Sequence, residues 1–200
     1  MNTDGQKKHT YNASAVILAG GKGSRMGGAD KGMLDRKGEP LIAHIKRQLE
    51  SDFDEIIIGA GSSEKYEFLN CRVVPDLAPG KGPLMGIYSC LLASHSDVNF
   101  VTACDIPEMN PGLIHEMISL SDEADIVMPV SKGDKYEPLY AVYRKSVTAA
   151  IKTLLDNDRR RIIDLFAHAR VKLVDFDHGQ WYHNLNRRSA YLDYIKGIRE

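Results

Sequence analysis

Short runs of apolar residues alternate along this chain with stretches in which apolar residues recur every three or four positions. Ala15–Leu18, Glu55–Ile58, Arg72–Val74, Asn99–Thr102 and Asp125–Met128 have the length and apolar content of buried strands. Between them, Leu41, Ile42, Ile45 and Leu49 mark one face of a helix that follows Pro40, a suitable first-turn residue. Leu84, Ile87 and Leu91 do the same after Pro83, and Leu113, Met117 and Leu120 after Asn110-Pro111. This strand–helix rhythm predicts a mainly parallel central sheet with helices on both faces.

Beyond Val130 the rhythm changes. Tyr136–Tyr143 alternates like a strand, and Val147, Ile151 and Leu155 share a side of the helix after it. A short helix near Ile162–Ala167, a strand over Val171–Asp175 and a terminal helix over Ser189–Glu200 complete the expectation. No repeat, low-complexity segment or long linker divides the chain. The fold class expected is α/β, a single three-layer Rossmann-like domain. Residues 1–13 are expected to be a flexible lead and 14–200 the domain. Two halves are expected within it, roughly 14–110 and 111–200.

Composition narrows the partners. A hydrophobic content of 43% and a net charge of −1 suit a soluble domain without the basic surface that nucleic acid requires. The polar N-terminus lacks the apolar core of a signal peptide, and no apolar run approaches the roughly 20 residues of a membrane span. Cys71, Cys90 and Cys104 are an odd number without Cys-x-x-Cys spacing, as expected of reduced thiols in the cytoplasm.

The chemistry begins where the first strand ends. Leu18-Ala19-Gly20-Gly21-Lys22-Gly23-Ser24-Arg25-Met26-Gly27-Gly28-Ala29-Asp30-Lys31 opens a strand into a glycine-rich loop, in which backbone N–H groups can approach an anion closely. Arg25 and Lys31 supply positive charge for several phosphates, as in a nucleotide-binding loop. Lys22 precedes Gly23-Ser24, which is not the Walker A order, and Gly21, Gly23 and Gly27 are one residue out of step with the dinucleotide fingerprint. Leu-Ala-Gly-Gly with Arg-Met-Gly and the following Asp-Lys instead resembles the activation loop of nucleotidyltransferases, and among them that of the molybdenum cofactor guanylyltransferases, a family of the nucleotide-diphospho-sugar-transferase-like superfamily.

Further segments follow in the same order as in that family. Asp76, in Val73-Val74-Pro75-Asp76, is a nucleotide contact by resemblance. Gly82, in Gly80-Lys81-Gly82-Pro83-Leu84-Met85-Gly86, falls in a segment similar to the family's Gly-Pro-Leu-x-Gly, where glycines let the chain pass close to the nucleotide. Cys104-Asp105-Ile106-Pro107 follows an apolar strand. A carboxylate there is costly for packing but apt for Mg²⁺, which favours carboxylate and phosphate oxygens. Cys-Asp-x-Pro also resembles the family's metal-binding position, whereas Cys104 itself reads as packing. Asn184-Leu185-Asn186 places two amides on one side of an extended segment, and the family carries a similar Asn-x-Asn in its pterin-binding region.

The resemblance implies transfer of GMP from GTP to Mo-molybdopterin with release of pyrophosphate and Mg²⁺ as cofactor. Leu18, Ala19, Gly20, Gly21, Lys31, Asp76, Gly82 and Asp105 would bind the nucleotide, Asp105 the metal, and Asn184 and Asn186 the acceptor. Arg25, Lys31 and Asp105 would carry the catalysis. A cytoplasmic monomer is expected, which hands its product to molybdoenzyme-maturation proteins and binds neither nucleic acid nor membrane.

Some positions depart from the pattern or stay open. Arg187-Arg188 follow the Asn pair where the family has Thr-Pro, and Gly59 stands where many relatives carry an Asn. Glu137-Pro138-Leu139 resembles a segment near the acceptor, although an acid there would oppose an anionic ligand. Arg159-Arg160-Arg161 could meet an anion or be a solvated face, and the seven histidines lack metal-ligand spacing and read as surface or partly buried residues. Rival readings are a cytidylyltransferase acting on the same pterin or on a polyol phosphate, whose relatives typically have Ala at the place of Gly20, and a GTP-binding cofactor-delivery partner without turnover. The presence of both Arg25 and Asp105 favours an enzyme over the latter.

Overall fold

β1 (Tyr11–Leu18) is buried on both faces, Ala15 and Ile17 on one side and Val16 and Leu18 on the other. Such a strand must lie inside a sheet covered twice. The computed structural model describes residues 11–20, 30–61, 64–131, 135–176 and 182–197. β1 pairs in parallel with β4 (Phe53–Gly59) on one side and β6 (Val98–Ala103) on the other, and β5 (Arg72–Val74) extends the sheet beyond β4. β9 (Tyr140–Arg144) runs antiparallel between β6 and β7 (Ile126–Ser131). β10 (Val171–Asp175) pairs in parallel with β7, giving the order β10-β7-β9-β6-β1-β4-β5, and β8 (Lys135–Tyr136) adds to β7.

Helices cover both faces, giving the expected three layers. The face with Ile17 packs against α1 (Leu41–Leu49) and α3 (Pro111–Ser119). The face with Val16 packs against α2 (Pro83–Ala93) and α4 (Thr148–Asp156). α5 (Arg188–Gly197) brings Tyr194 against Leu41 and Leu185 in a small third cluster.

Most sequence-predicted elements lie where expected, with four instructive differences. β1 starts at Tyr11, so residues 11–13 belong to strand rather than to a lead; the Tyr11 amide donates to Asp52 and its ring meets Phe53 at 5.1 Å. Pro40 does not open α1 from within but precedes it, in β3 (Glu39–Pro40), which pairs with β2 (Asp35–Arg36) around a turn with Lys37 and Gly38 at positive φ. Tyr136–Tyr143 is two strands, because Glu137–Leu139 turns and the Tyr140 amide closes onto the Glu137 carbonyl. Finally, the segments Lys31–Met33 and Glu64–Leu69, too short for a periodic signal, form 3-10 turns, as does the expected Ile162–Ala167.

Candidate active site

The chain leaves β1 toward β4 and β5, then crosses back to β6 on the other side of β1. In open α/β sheets the crevice beyond the carboxyl ends of two such strands is where ligands bind. Here the two strand ends are tied together, since the Cys104 amide donates to the Leu18 carbonyl at 3.0 Å and the Ala19 amide to Gly59 at 2.8 Å. Ala19 and Gly20 emerge at this crevice, whereas the Leu18 side chain turns into the core. Gly21 and Arg25 lie outside the described residues.

At the far end of the glycine-rich loop, Asp30 caps the Lys31–Met33 turn by accepting the Gly32 amide at 3.1 Å. Gly32 is buried against Ile42 and Cys104, which fits a turn laid directly on the end of β6. The turn aims Lys31 so that its Nζ donates to Asp105 Oδ2 and to Asn186 Oδ1, each at 2.8 Å. Asp105 is reached by β6, and Asn186 by the C-terminal segment, whose Leu185 amide donates to the Asp105 carbonyl at 2.8 Å. Three sequence-predicted residues far apart in the chain thus converge on one ammonium group. Lys31 and Asp105 are mostly buried, at 21% and 15% side-chain exposure, where their attraction is screened less than at an open surface.

The extended segment alternates as its sequence suggests. Leu185 is buried, Asn186 meets Lys31, and Asn184 lines a cavity of about 650 Å³ with Glu108, Tyr182, His183, Asp193 and Tyr194. Two contacts invisible in the sequence hold this wall. The Tyr182 hydroxyl donates to Glu137 at 2.6 Å, which gives that unassigned acid a partner. Glu108 accepts from Tyr194 at 2.5 Å and from Arg36 at 3.0 Å, with His44 at 3.4 Å. Burial opposes ionisation of Glu108, but hydrogen bonds from His44, Tyr194 and Arg36 prevail and hold its carboxyl at about 2. His44 is buried, at 5% exposure, rather than a surface or partly buried residue as the sequence suggested, because it packs beside this acid.

Asp76 and Gly82 stand on the β5 side of the crevice, and no hydrogen bond among the described residues joins them to the Lys31 cluster. Asp76 is half-buried beside the first turn of α2, and burial raises its carboxyl above the usual range. Gly82 precedes α2 with φ +79°, a conformation that side chains resist. Arg160 reaches the Gly80 carbonyl at 3.2 Å, and Asp158 accepts from both Lys81 and Arg160 at 2.8 Å, so Arg160 of the arginine run joins the Gly80–Gly82 loop, whereas Arg159 pairs with Asp164. Gly59 has a packing explanation. A Cβ there would lie 2.7 Å from Leu18 Cδ2 and 2.9 Å from Cys90 Sγ, so any side chain would force these two to shift. Cys71, Cys90 and Cys104 are free thiols, and burial and the nearby Asp105 and Asp30 push Cys104 up to about 12, consistent with packing.

A doubly covered, mainly parallel sheet, with a lysine–carboxylate pair beside the roots of a glycine-rich loop at its switch point, defines a nucleotidyltransferase-type domain. The profile of the MobA-like NTP transferase domain matches residues 15–172, and the chain belongs to that family. It is 34% identical over 182 residues to a "Probable molybdenum cofactor guanylyltransferase" of Carboxydothermus hydrogenoformans, covering 91% of this chain and 90% of that one. Among solved structures, the fold is similar to molybdopterin-guanine dinucleotide biosynthesis protein A from Archaeoglobus fulgidus (TM-score 0.78, 22% identity, 93% of this chain and 98% of that one). It is also similar to a Mycobacterium tuberculosis protein solved in complex with manganese (TM-score 0.67, 14% identity, 92% and 98%).

Proposed function

We propose that this chain transfers GMP from GTP to the terminal phosphate of Mo-molybdopterin, forming molybdopterin guanine dinucleotide and pyrophosphate. The observation that carries this reading is Lys31 Nζ held at 2.8 Å by both Asp105 and Asn186, which joins the end of the loop, the end of β6 and the C-terminal segment in one site. The relative of Carboxydothermus supports the substrate pair by its name.

An acceptor phosphate oxygen forms a bond to the α-phosphorus as the bond from that phosphorus to the β-bridging oxygen breaks, and pyrophosphate leaves with the electron pair. The acceptor is already an anion, so neither a general base nor a nucleophilic side chain is needed. Catalysis is by positioning and charge. Lys31 exchanges its bond to Asp105 for the triphosphate, and Arg25 with the loop amides offsets charge at the α-phosphate. Asp76 and the Gly82 loop hold the nucleoside side, and Asn184 and Asn186 the pterin side. The halves 14–110 and 111–200 thereby serve nucleotide and acceptor.

No group of three or more metal-ligating side chains occurs among the described residues. Asp105 would hold Mg²⁺, a hard cation that takes carboxylate together with phosphate oxygens. When bound there, Mg²⁺ supplies neutralising charge to the phosphate oxygens. Among the described residues no helix is long and apolar enough to cross a membrane. The reading places the protein in the cytoplasm as a monomer that passes its product to molybdoenzyme-maturation proteins.

Pyrophosphate release with Mg²⁺ and molybdopterin acceptor, compared across GTP, CTP, ATP and UTP, tests the proposal. Turnover with GTP alone is expected. Preference for CTP would replace the guanylyl assignment, and absence of turnover with any of the four would overturn it.

A further inference from the structure

We propose that Tyr66 is a positioning residue that fixes Lys31 by anchoring the carboxylate that caps its turn. Tyr66 belongs to the Glu64–Leu69 turn after β4 and is only 2% exposed. Its hydroxyl lies 2.9 and 3.1 Å from the two carboxylate oxygens of Asp30 and 3.5 Å from the Ala19 carbonyl. Ala19 is where the chain enters the glycine-rich loop and Asp30 is where it leaves, so one buried hydroxyl stands at both roots.

The contact is suited to transmit position. Asp30 Oδ1 also accepts the Gly32 amide, and the Met33 and Leu34 amides close the same turn onto Asp30 and Lys31. The Tyr66 ring sits in the core between sheet and helices, so its hydroxyl is a fixed point, and the carboxylate bound to it fixes the origin of the Lys31 side chain. Lys65 also approaches Asp30, at 3.7 Å, but its side chain is 62% exposed and contributes little. Burial, then the hydrogen bond and charge of Asp30, raise the Tyr66 phenol above its usual value, which favours its protonated, donating form.

The consequence for catalysis rests on the reading of Lys31 as a phosphate ligand; the consequence for the turn does not. Tyr66→Phe keeps the ring in place, and Asp30, 23% exposed, recovers water. Hydrogen exchange of the Gly32–Leu34 amides is expected to speed up about tenfold in this variant. Mg²⁺–GTP binding is expected to weaken about tenfold. In a Lys31→Ala background the same change is expected to add less than about twofold, because Tyr66 acts through Lys31. Should Tyr66→Phe not fold, Asp30→Ser keeps a capping oxygen while removing the carboxylate that Tyr66 holds, and the same two readouts apply. Unchanged exchange, or affinity losses that multiply in the double variant, would overturn the proposal. If the wild-type chain itself binds no GTP, the proposed function fails while exchange at Gly32–Leu34 still decides the role of Tyr66.

Discussion

Lys31 and Asp105 pair at 2.8 Å, and the proposed function gives each a different task toward the nucleotide. Asp105→Ala is expected to keep the fold and to lower Mg²⁺-dependent turnover by about a hundredfold or more, read as initial rates of pyrophosphate release. Lys31→Ala is expected to weaken GTP binding by about tenfold in titration calorimetry. Both residues were legible in the sequence because each sits in a short local motif beside a strand end. Tyr66 was not, since its contact with Asp30 is made across the fold from a turn too short to show periodicity. Gly59 teaches the converse. It resembles a lost ligand in the sequence, but Leu18 and Cys90 already fill the space. Gly59→Asn is therefore expected to cost about 1–3 kcal/mol in denaturant unfolding rather than to restore binding.

At the scale of elements, strands buried on both faces announce themselves as apolar runs, and their helices as one-sided repeats. β5 and β10 match the expected limits although both are partly exposed edge strands, and α2 begins at Pro83 as expected. Shorter elements depend on partners. The β2–β3 hairpin is held by pairing between two-residue strands, and β8 exists only because it meets the end of β7. α3 shows local chemistry deciding a boundary. The Asn110 side chain accepts the Leu113 amide at 3.1 Å ahead of Pro111, so Asn110→Ala is expected to lower stability by about 1 kcal/mol in the same unfolding assay. The Asn184–Asn186 segment has no such local signal. Its register comes from Leu185, buried and bonded to Asp105, which assigns one amide to the cavity and the other to Lys31.

For the whole molecule, Glu108 is the group that joins distant parts. It binds Arg36 from the β2–β3 hairpin, His44 from α1 and Tyr194 from α5, just past the end of β6. Its carboxyl is held at about 2, below the ordinary value in an unfolded chain. Its stabilisation is therefore fully present above the unfolded value and is lost as pH falls from there through about 2. Wild-type stability should drop by on the order of 2 kcal/mol across that window from this group alone, and Glu108→Gln should flatten the drop in urea unfolding at successive pH values. The reaction proposed at the switch point is nucleotidyl transfer. The most direct test supplies GTP labelled in its α-phosphate together with Mg²⁺ and Mo-molybdopterin, and follows the label. It is expected to appear in a pterin–guanine dinucleotide in proportion to the pyrophosphate released. Label that stays in GTP, or is found only in GMP or GDP, would contradict the proposed transfer.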